Sequence, residues 1–274
     1  MVLSASFWWV YFSVLSFFFG ACVGSFLNVC IYRIPREESV IHPRSHCPHC
    51  GRMIAWYDNI PLLSWLLLRA RCHQCGEPII ARYFLVELLT AVLFLVVWLL
   101  YGYSVKTPAY WLGIAGLILG TFVDFEHMII PDRVTLGGMV IGLVLSALFP
   151  ALHGVTGWWA GLSAATLGVA LGSGVLWLVA VLGKMVFRKD AMGFGDVKLL
   201  GAVGAFLGWQ AVLFTIVVSS FAGSLVGLTL IAMKRKERFS HIPFGPYLAL
   251  AAVVWVLGGA GWWQAYLRWL TRGL

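Results

Sequence analysis

Long apolar runs separated by short polar segments dominate the chain. About 20 apolar residues in an α-helix cross a hydrocarbon core of about 30 Å, so runs near this length are candidate membrane spans. Eight such runs cover residues 6–31, 83–102, 108–124, 134–150, 158–186, 197–209, 211–233 and 246–268. The pattern predicts an all-α polytopic membrane protein with about eight transmembrane helices.

The sixth run is short, and the seventh follows it almost at once. A single straight helix over residues 197–233 would be much longer than the hydrocarbon core, because each helical residue adds about 1.5 Å. We therefore predict a turn at Gly208-Trp209-Gln210. The first run has no basic residue before it and exceeds the apolar core of a signal peptide, about 7 to 15 residues, so we expect it to remain as a span.

Composition and charge support this assignment to the membrane. The chain is 61% hydrophobic and 11% charged, with a net charge of +8. Sixteen of the 19 Lys and Arg residues lie on one predicted face, and the other face keeps Lys106, Arg268 and Arg272. The positive-inside rule makes the first face cytoplasmic, with both termini outside. The net charge then reflects topology and attraction to the lipid bilayer, and no nucleic-acid partner is expected.

Two aspartates lie at predicted span ends on this cytoplasmic face. Asp124 ends the third span, and Asp196 precedes the sixth in Gly193-Phe194-Gly195-Asp196-Val197-Lys198. Ionisable residues at the membrane margin are costly unless they face protein or water, so they mark functional sites. Two carboxylates at one depth predict a dyad that shares a proton. The alternative for Asp196 is a helix N-cap paired with Lys198.

The only sizeable polar segment, residues 33–82, carries Cys47, Cys50, Cys72 and Cys75 as two C-x2-C pairs separated by 21 residues. Four thiolates at this spacing predict a tetrahedral, structural zinc site. The alternatives are redox-active pairs or a site that is at times empty. Four nearby histidines are alternative ligands, although solvated side chains are the simpler interpretation: His42, His46, His49 and His73.

Other polar residues near span ends have both structural and functional interpretations. Asn28 can hydrogen-bond across helices or belong to a site, and Glu87 can pair with Arg82 or face a pocket at the cytoplasmic margin. Asp132, after the helix-breaking Pro131, is a candidate cap for the next helix. A shaped turn at residues 243–247 is expected to border the aspartate site.

Five short motifs follow one another along the chain. They are Gly24-Ser25-Phe26-Leu27-Asn28-Val29, the cysteine pairs enclosing Asp58-Asn59-Ile60-Pro61, Asp124 seven residues before Pro131, the stretch 193–198 and Pro243-Phe244-Gly245-Pro246. Together they resemble the type IV prepilin peptidases, bacterial inner-membrane aspartyl proteases of the Gly-x-Gly-Asp kind that also act as N-methyltransferases. The resemblance covers nearly the whole chain.

This resemblance implies that Asp124 and Asp196 are catalytic, with Gly193, Gly195 and Lys198 as supporting motif residues. It implies type IV prepilins and pseudopilins as substrates, cleaved at the cytoplasmic membrane face and then methylated with S-adenosyl-L-methionine. The implied organisation is a first transmembrane helix over 1–32, a zinc-binding loop associated with methylation over 33–82, and a peptidase domain over 83–274. Asn28 and Glu87 are the candidates for the methyl-donor site.

Two positions in the loop depart from the family pattern, namely Ala70, where a glycine is expected, and Phe84, where a proline is common. They bear on methylation and leave proteolysis untouched. Two other classes of function remain as alternatives. A proton-coupled transporter would use Asp124 and Asp196 as a relay, although no inverted repeat with paired broken helices is evident. A zinc-ribbon assembly scaffold would need neither aspartate.

Overall fold

The computed structural model describes residues 5–188, 192–233 and 243–272, and these residues are mostly helical. Ten α-helices occur among them: α1 Ala5–Arg33, α2 Leu63–Leu67, α3 Arg82–Tyr101, α4 Lys106–His127, α5 Asp132–Leu148, α6 Trp158–Phe187, α7 Phe194–Leu207, α8 Trp209–Ala232, α9 Gly245–Val254 and α10 Ala260–Arg272. Within the described ranges, β-structure is limited to two isolated bridges. The predicted all-α fold is confirmed.

Each predicted span corresponds to a helical segment, and six of the segments are long and apolar enough to cross a membrane. The two shorter ones are α5, with 17 residues, and α7, with 14 residues. The predicted turn after the sixth span is confirmed, because Gly208 has a φ of +81° and separates α7 from α8. The protein is therefore a multi-pass membrane protein.

The eighth predicted span is not one regular helix. A π-helical turn at Trp255–Gly259 separates α9 from α10, and Gly258 within it has a φ of 145°. Apolar residues continue through this turn, which is why the hydropathy pattern shows no break. Among the basic residues assigned to the cytoplasmic face, Lys189, Lys234, Arg235, Lys236 and Arg238 lie outside the described residues.

The chain divides into two compact units, at residues 1–107 and 108–274. In the first unit, α1 and α3 pack closely because small residues of α1 face the backbone of α3. A Cβ at Gly20 would lie 2.8 Å from Cα of Ala91, and one at Gly24 would lie 2.7 Å from Cα of Glu87. The absence of a side chain at these glycines is what lets the two helix backbones approach so closely.

The second unit is built around α7. Ten of the 14 residues of this helix are buried, so protein rather than lipid surrounds it. The backbone of Gly168 in α6 packs directly against the backbone of Gly204 in α7. The backbone of Gly172 in α6 packs against that of Leu200 in α7. This burial explains how a helix too short to span the membrane is stabilised, and it positions the first turn of α7, which carries Asp196.

Candidate active site and metal centre

Asp124 lies in the last turn of α4 and is 5% exposed. The backbone amide of Gly245, at the start of α9, interacts with its carboxylate. Among the described residues, the Oδ2 atom of Asp124 has no hydrogen-bond partner. A buried carboxylate oxygen without a partner is costly in a purely structural role, so this atom is available to a substrate or a water molecule.

Asp196 is the third residue of α7 and is 7% exposed. Gly193 is the N-cap of this helix, and its backbone amide interacts with the Asp196 carboxylate. An acidic third residue that reaches back to the N-cap amide is half of a capping box. The alternative in which Asp196 is itself the N-cap is therefore wrong.

The structure brings the Asp124 and Asp196 carboxylates within direct electrostatic range of each other. The buried Ile130, in the turn between α4 and α5, packs against both segments that carry the site. A Cβ at Gly195 would lie 3.1 Å from Cβ of Ile130, and one at Gly245 would lie 2.9 Å from Cδ1 of Ile130. Glycine therefore lets both segments approach Ile130 closely, and a larger residue at either position would press on the Ile130 side chain.

The alternative in which Asp196 is an N-cap required an ion pair between Lys198 and Asp196, but Lys198 pairs with another residue. Its Nζ atom lies 2.6 Å from Oδ1 of Asp132 and 5.4 Å from the ring centroid of Phe194. Asp132 is also not a cap, because Pro131 holds the N-cap position of α5. The ion pair instead joins the first turn of α5 to the first turn of α7, close to Asp196.

Analysis of the sequence did not identify Gly245 or Ile130 as residues in contact with the dyad. The turn at residues 243–247 was nevertheless expected to border the aspartate site, and the contact between Gly245 and Asp124 confirms this. The Pro-x-Gly-Pro pattern was the available signal. Ile130 lies in an apolar stretch after Asp124, and its neighbours at the site come from residues more than 60 positions away, so no local pattern distinguishes it.

In the first unit, the four loop cysteines form one cluster. The sulfurs of Cys47, Cys50, Cys72 and Cys75 all lie within 4.8 Å of one another, and the sulfurs of Cys47 and Cys75 are 3.9 Å apart. Tetrahedral zinc with Zn–S bonds of about 2.3 Å needs sulfurs about 3.8 Å apart. The geometry fits a metal ion with four thiolate ligands. In the described parts of the chain, no histidine joins this cluster.

The two knuckles have the same backbone design. The amides of Cys47 and Cys72 donate to the carbonyls of Arg52 and Glu77, at 3.0 and 2.8 Å. Each knuckle then turns at a glycine with a positive φ, Gly51 or Gly76. Hydrogen bonds from the backbone amides of Cys75 and Gln74 lower the pKa of the Cys72 thiol to about 7, whereas loss of hydration and the neighbouring thiols raise the pKa of Cys75 to about 11. The first thiolate of the cluster therefore forms most readily at Cys72.

His73 has a different partner from the predicted metal. Its Nδ1 atom lies 3.0 Å from Oδ2 of Asp58, which fastens the second knuckle to the 3₁₀ turn Trp56–Asn59. The side chain of Arg52 donates to Oε1 of Gln74 at 2.8 Å and joins the two knuckles. These contacts support the cysteine cluster from outside it.

Asn28 and Glu87 lie on the facing sides of α1 and α3. Nδ2 of Asn28 donates to the carbonyl of Tyr83 at 2.9 Å, whereas Oδ1 of Asn28 is buried and lacks a partner among the described residues. Glu87 is buried, accepts a hydrogen bond from the backbone amide of Leu62 at 2.8 Å and interacts with the Ser25 hydroxyl. Glu87 thus has partners both in α1 and in the loop between α1 and α3.

Curated relatives of this chain carry the name prepilin leader peptidase/N-methyltransferase. The protein of Aeromonas hydrophila is 39% identical over 285 residues, which cover 95% of this chain and 94% of the relative. That of Myxococcus xanthus is 41% identical over 223 residues, which cover 80% of this chain and 63% of the relative. That of Aeromonas salmonicida is 37% identical over 292 residues, covering 95% and 94%. No solved structure matches the chain.

Two family models also match. The bacterial peptidase A24 N-terminal domain matches residues 18–101, which include the cysteine loop, Asn28 and Glu87. The type IV leader peptidase family matches residues 111–228, which include Asp124 and Asp196. Because relatives at 37 to 39% identity are covered almost end to end, the chain belongs to the family of prepilin leader peptidases and N-methyltransferases.

Proposed function

We propose that this enzyme removes the leader peptide from type IV prepilins and pseudopilins and then methylates the new N-terminal residue. The juxtaposition of the buried Asp124 and Asp196 carboxylates is the observation that carries the proteolytic half. The printed names of the relatives, which combine both activities, support the pairing of cleavage with methylation. No observation on the described residues favours the transporter alternative.

Asp124 and Asp196 perform the cleavage as a pair. Two neighbouring carboxylates away from water do not both ionise at low cost, so the pair holds one shared proton. The ionised member takes a proton from a water molecule, and the protonated member donates its proton to the scissile carbonyl oxygen. The water oxygen adds to the carbonyl carbon and gives a gem-diol intermediate. The carboxyl group that took the water proton then gives it to the leaving nitrogen, and the other carboxylate takes one hydroxyl proton of the gem-diol. The C–N bond breaks to leave an amine, a new carboxyl group and a dyad that again holds one proton.

The residues around the pair prepare it for this role. The Gly245 amide touches Asp124, and the Gly193 amide holds Asp196, so each carboxylate keeps one fixed contact. Such contacts keep the reacting groups in place before the substrate arrives. Gly193, Gly195 and Lys198 support the pair through the turn of α7 and through the bond to Asp132.

The cysteine cluster is the site of a structural zinc ion. Four thiol ligands leave no open position for a catalytic water, and the segment over residues 33–82 is too small to hold a large apolar core. When bound, zinc supplies a cross-link between the two knuckles. We assign this loop to the methylation function.

The methyl-donor site is proposed at the polar patch between α1 and α3. The unpartnered Oδ1 atom of Asn28 and the neighbouring Glu87 carboxylate fit a polar, cationic ligand such as S-adenosyl-L-methionine. When bound, this ligand supplies an electrophilic methyl group for the new N-terminal amine. Asn28 would accept a hydrogen bond from it, and Glu87 would offset its positive charge.

The enzyme is placed in the inner membrane of a bacterium, with the aspartate pair and the cysteine loop on the cytoplasmic side. The excess of Lys and Arg in the loops after spans one, three, five and seven supports this orientation. A prepilin leader is reached from the cytoplasm, so the orientation and the proposed substrate agree.

Mass spectrometry of a prepilin substrate tests the proposed function. The purified enzyme in proteoliposomes is incubated with prepilin and S-adenosyl-L-methionine. We expect loss of the leader and addition of one methyl mass to the product. Cys72→Ser should still cleave without methylating, and Cys22→Ser, outside the cluster, should behave like the parent enzyme. Prepilin that stays intact with the parent enzyme would refute the proposal.

A further inference from the structure

The loop between α1 and α3 contains a run that is unusual for a water-facing loop. Residues 60–68, Ile-Pro-Leu-Leu-Ser-Trp-Leu-Leu-Leu, have no charged side chain. Leu67 is 80% exposed, and Leu63 and Leu66 are about half exposed. A cluster of exposed leucines on one short helix marks an interaction surface rather than an ordinary protein surface.

The backbone of this segment lies beside the N-terminal part of α3. The Leu62 amide donates to Oε2 of Glu87 at 2.8 Å. Glu87 is five residues inside α3 from Arg82, a distance of about 7 Å along the helix axis. Leu62 itself is buried in an apolar cluster with Ala21 and Ala91. Residues 60–68 therefore pack alongside the membrane helices α1 and α3 before the chain continues to the second knuckle.

Several backbone amides of residues 60–68 are satisfied within the segment. The Ile60 amide donates to Oγ of Ser64 at 2.9 Å, and the Ser64 amide donates to the Ile60 carbonyl at 3.0 Å. The amides of Leu63, Leu66 and Leu68 each donate to a carbonyl of the same segment. Such internal bonding suits a segment at membrane depth, where lipid offers no hydrogen bonds.

The Glu87 carboxylate supplies the partner that the local backbone cannot. Leu62 has a φ of +64°, a conformation that a leucine rarely adopts, and its amide points away from the segment. Glu87 accepts that amide from α3. An anchoring carboxylate thus holds the strained start of α2 against α3.

The exposed leucines lie next to the exposed apolar surface of α3. Trp65 stacks on Phe84 of α3, with ring centroids 4.9 Å apart, and the next residue on α3, Leu85, is 53% exposed. Because α1 and α3 are membrane spans, their exposed apolar side chains face acyl chains. Arg69 and Arg71 follow the leucines directly, where cationic side chains reach anionic head groups.

We infer that residues 60–68 form a re-entrant segment whose leucines contact the lipid bilayer at the boundary between head groups and acyl chains. The segment separates the two cysteine knuckles in sequence, so its insertion holds the metal centre at the membrane surface. The inference concerns residues of the first unit only and does not depend on the proposed enzymatic function.

Accessibility of a spin label at position 67 tests this inference. p-Acetylphenylalanine replaces Leu67 in the full chain and is coupled to a nitroxide, which leaves all six cysteines unmodified. The protein is reconstituted alone into vesicles of zwitterionic and anionic phospholipid. Collision with oxygen reports lipid, and collision with a water-soluble nickel chelate reports water. Matched labels at Leu85, on the lipid side of α3, and at the exposed Glu77 give the two reference values.

We expect the label at 67 to match the label at 85, with high oxygen and low nickel accessibility. Labels at Leu63 and Leu66 should agree, which guards against a local effect at one position. A label at 67 that matches Glu77 would place the segment in water and overturn the inference. A label shielded from both reagents would also overturn it, because another part of the chain or a second copy would then cover the leucines.

Discussion

The backbone of Gly245 lies directly against the side chain of Asp124. A Cβ at position 245 would be 2.7 Å from Oδ2 of Asp124 and 2.9 Å from Cδ1 of Ile130. Both neighbours are buried side chains, so a methyl group at position 245 would displace the Asp124 carboxylate or the Ile130 side chain. The start of α9 is therefore part of the wall of the candidate active site.

Gly245→Ala should lower the rate of leader cleavage by roughly 100-fold, because displacement of a reacting group by about 1 Å can cost that much. The measurement is the initial rate of prepilin cleavage in proteoliposomes. Gly223→Ala is the matched control, since its Cβ would meet Phe244 and Tyr247 only at ordinary distances of 3.6 Å or more. Equal rates for the two variants would show that Gly245 does not shape the site.

Loss of the ion pair between Asp132 and Lys198 should slow leader cleavage only slightly, and by a similar factor whichever of the two residues is replaced. Asp132 is mostly exposed, so the pair is worth at most about 1 kcal/mol, which corresponds to about fivefold in rate if it acts entirely on the site. We expect Asp132→Asn and Lys198→Met to slow cleavage to similar extents, and the double variant to be no slower than either. A far larger loss for Lys198→Met alone would instead mean that Lys198 acts directly on the substrate or the dyad.

The local alternatives for Lys198 and Asp132, a pair with Asp196 and a helix cap, fail for an understandable reason. Lys198 is two residues from Asp196, and Asp132 follows a proline at a helix start, so proximity along the chain favoured a cap and a local pair. A tertiary ion pair between α5 and α7 forms instead, because the fold brings the two opposite charges within 2.6 Å of each other. The pairing of Asp124 with Asp196 was predictable, since span parity places both at one membrane face.

The sequence predicted that the turn at residues 243–247 borders the aspartate site, but it could not identify the individual contacts of Gly245 and Leu62. Gly245 reaches Asp124 from 121 positions along the chain, and the Leu62 amide reaches Glu87 only because Leu62 adopts a positive φ. The break at Gly258 was missed because apolar residues continue on both sides of it. The cysteine cluster was predictable in full, because two C-x2-C pairs carry their own local geometry.

Gly168→Ala should destabilise the membrane domain, because its Cβ would collide with the backbone of Gly204 on α7. Overpacking of this kind costs about 1 to 3 kcal/mol, measurable as a lower thermal midpoint in detergent. Gly174→Ala, on the same helix, meets no atom within 4 Å and should leave the midpoint unchanged or slightly higher. If both variants unfold together with the parent protein, the close packing of α6 on α7 is not what stabilises α7.

Removal of metal from the cysteine cluster should loosen the loop. We expect about one zinc per chain in the purified protein, because one ion uses all four thiolates. In Cys50→Ser the zinc content should fall, and limited proteolysis should cut within residues 46–78, since metal binding and folding of such knuckles are coupled. Cys22→Ser should keep both its zinc content and its resistance to proteolysis in this loop. Full zinc content in Cys50→Ser would exclude the four-thiolate site.

The central claim is that Asp124 and Asp196 act as one catalytic pair, and prepilin cleavage by single aspartate variants tests it most directly. Asp124→Asn, Asp196→Asn and the control Glu126→Gln, an exposed acid on the same helix as Asp124, are compared in proteoliposomes at matched protein levels. We predict that either asparagine variant releases no measurable leader while Glu126→Gln cleaves at the parent rate. Leader release at the parent rate by Asp124→Asn or Asp196→Asn would contradict the account.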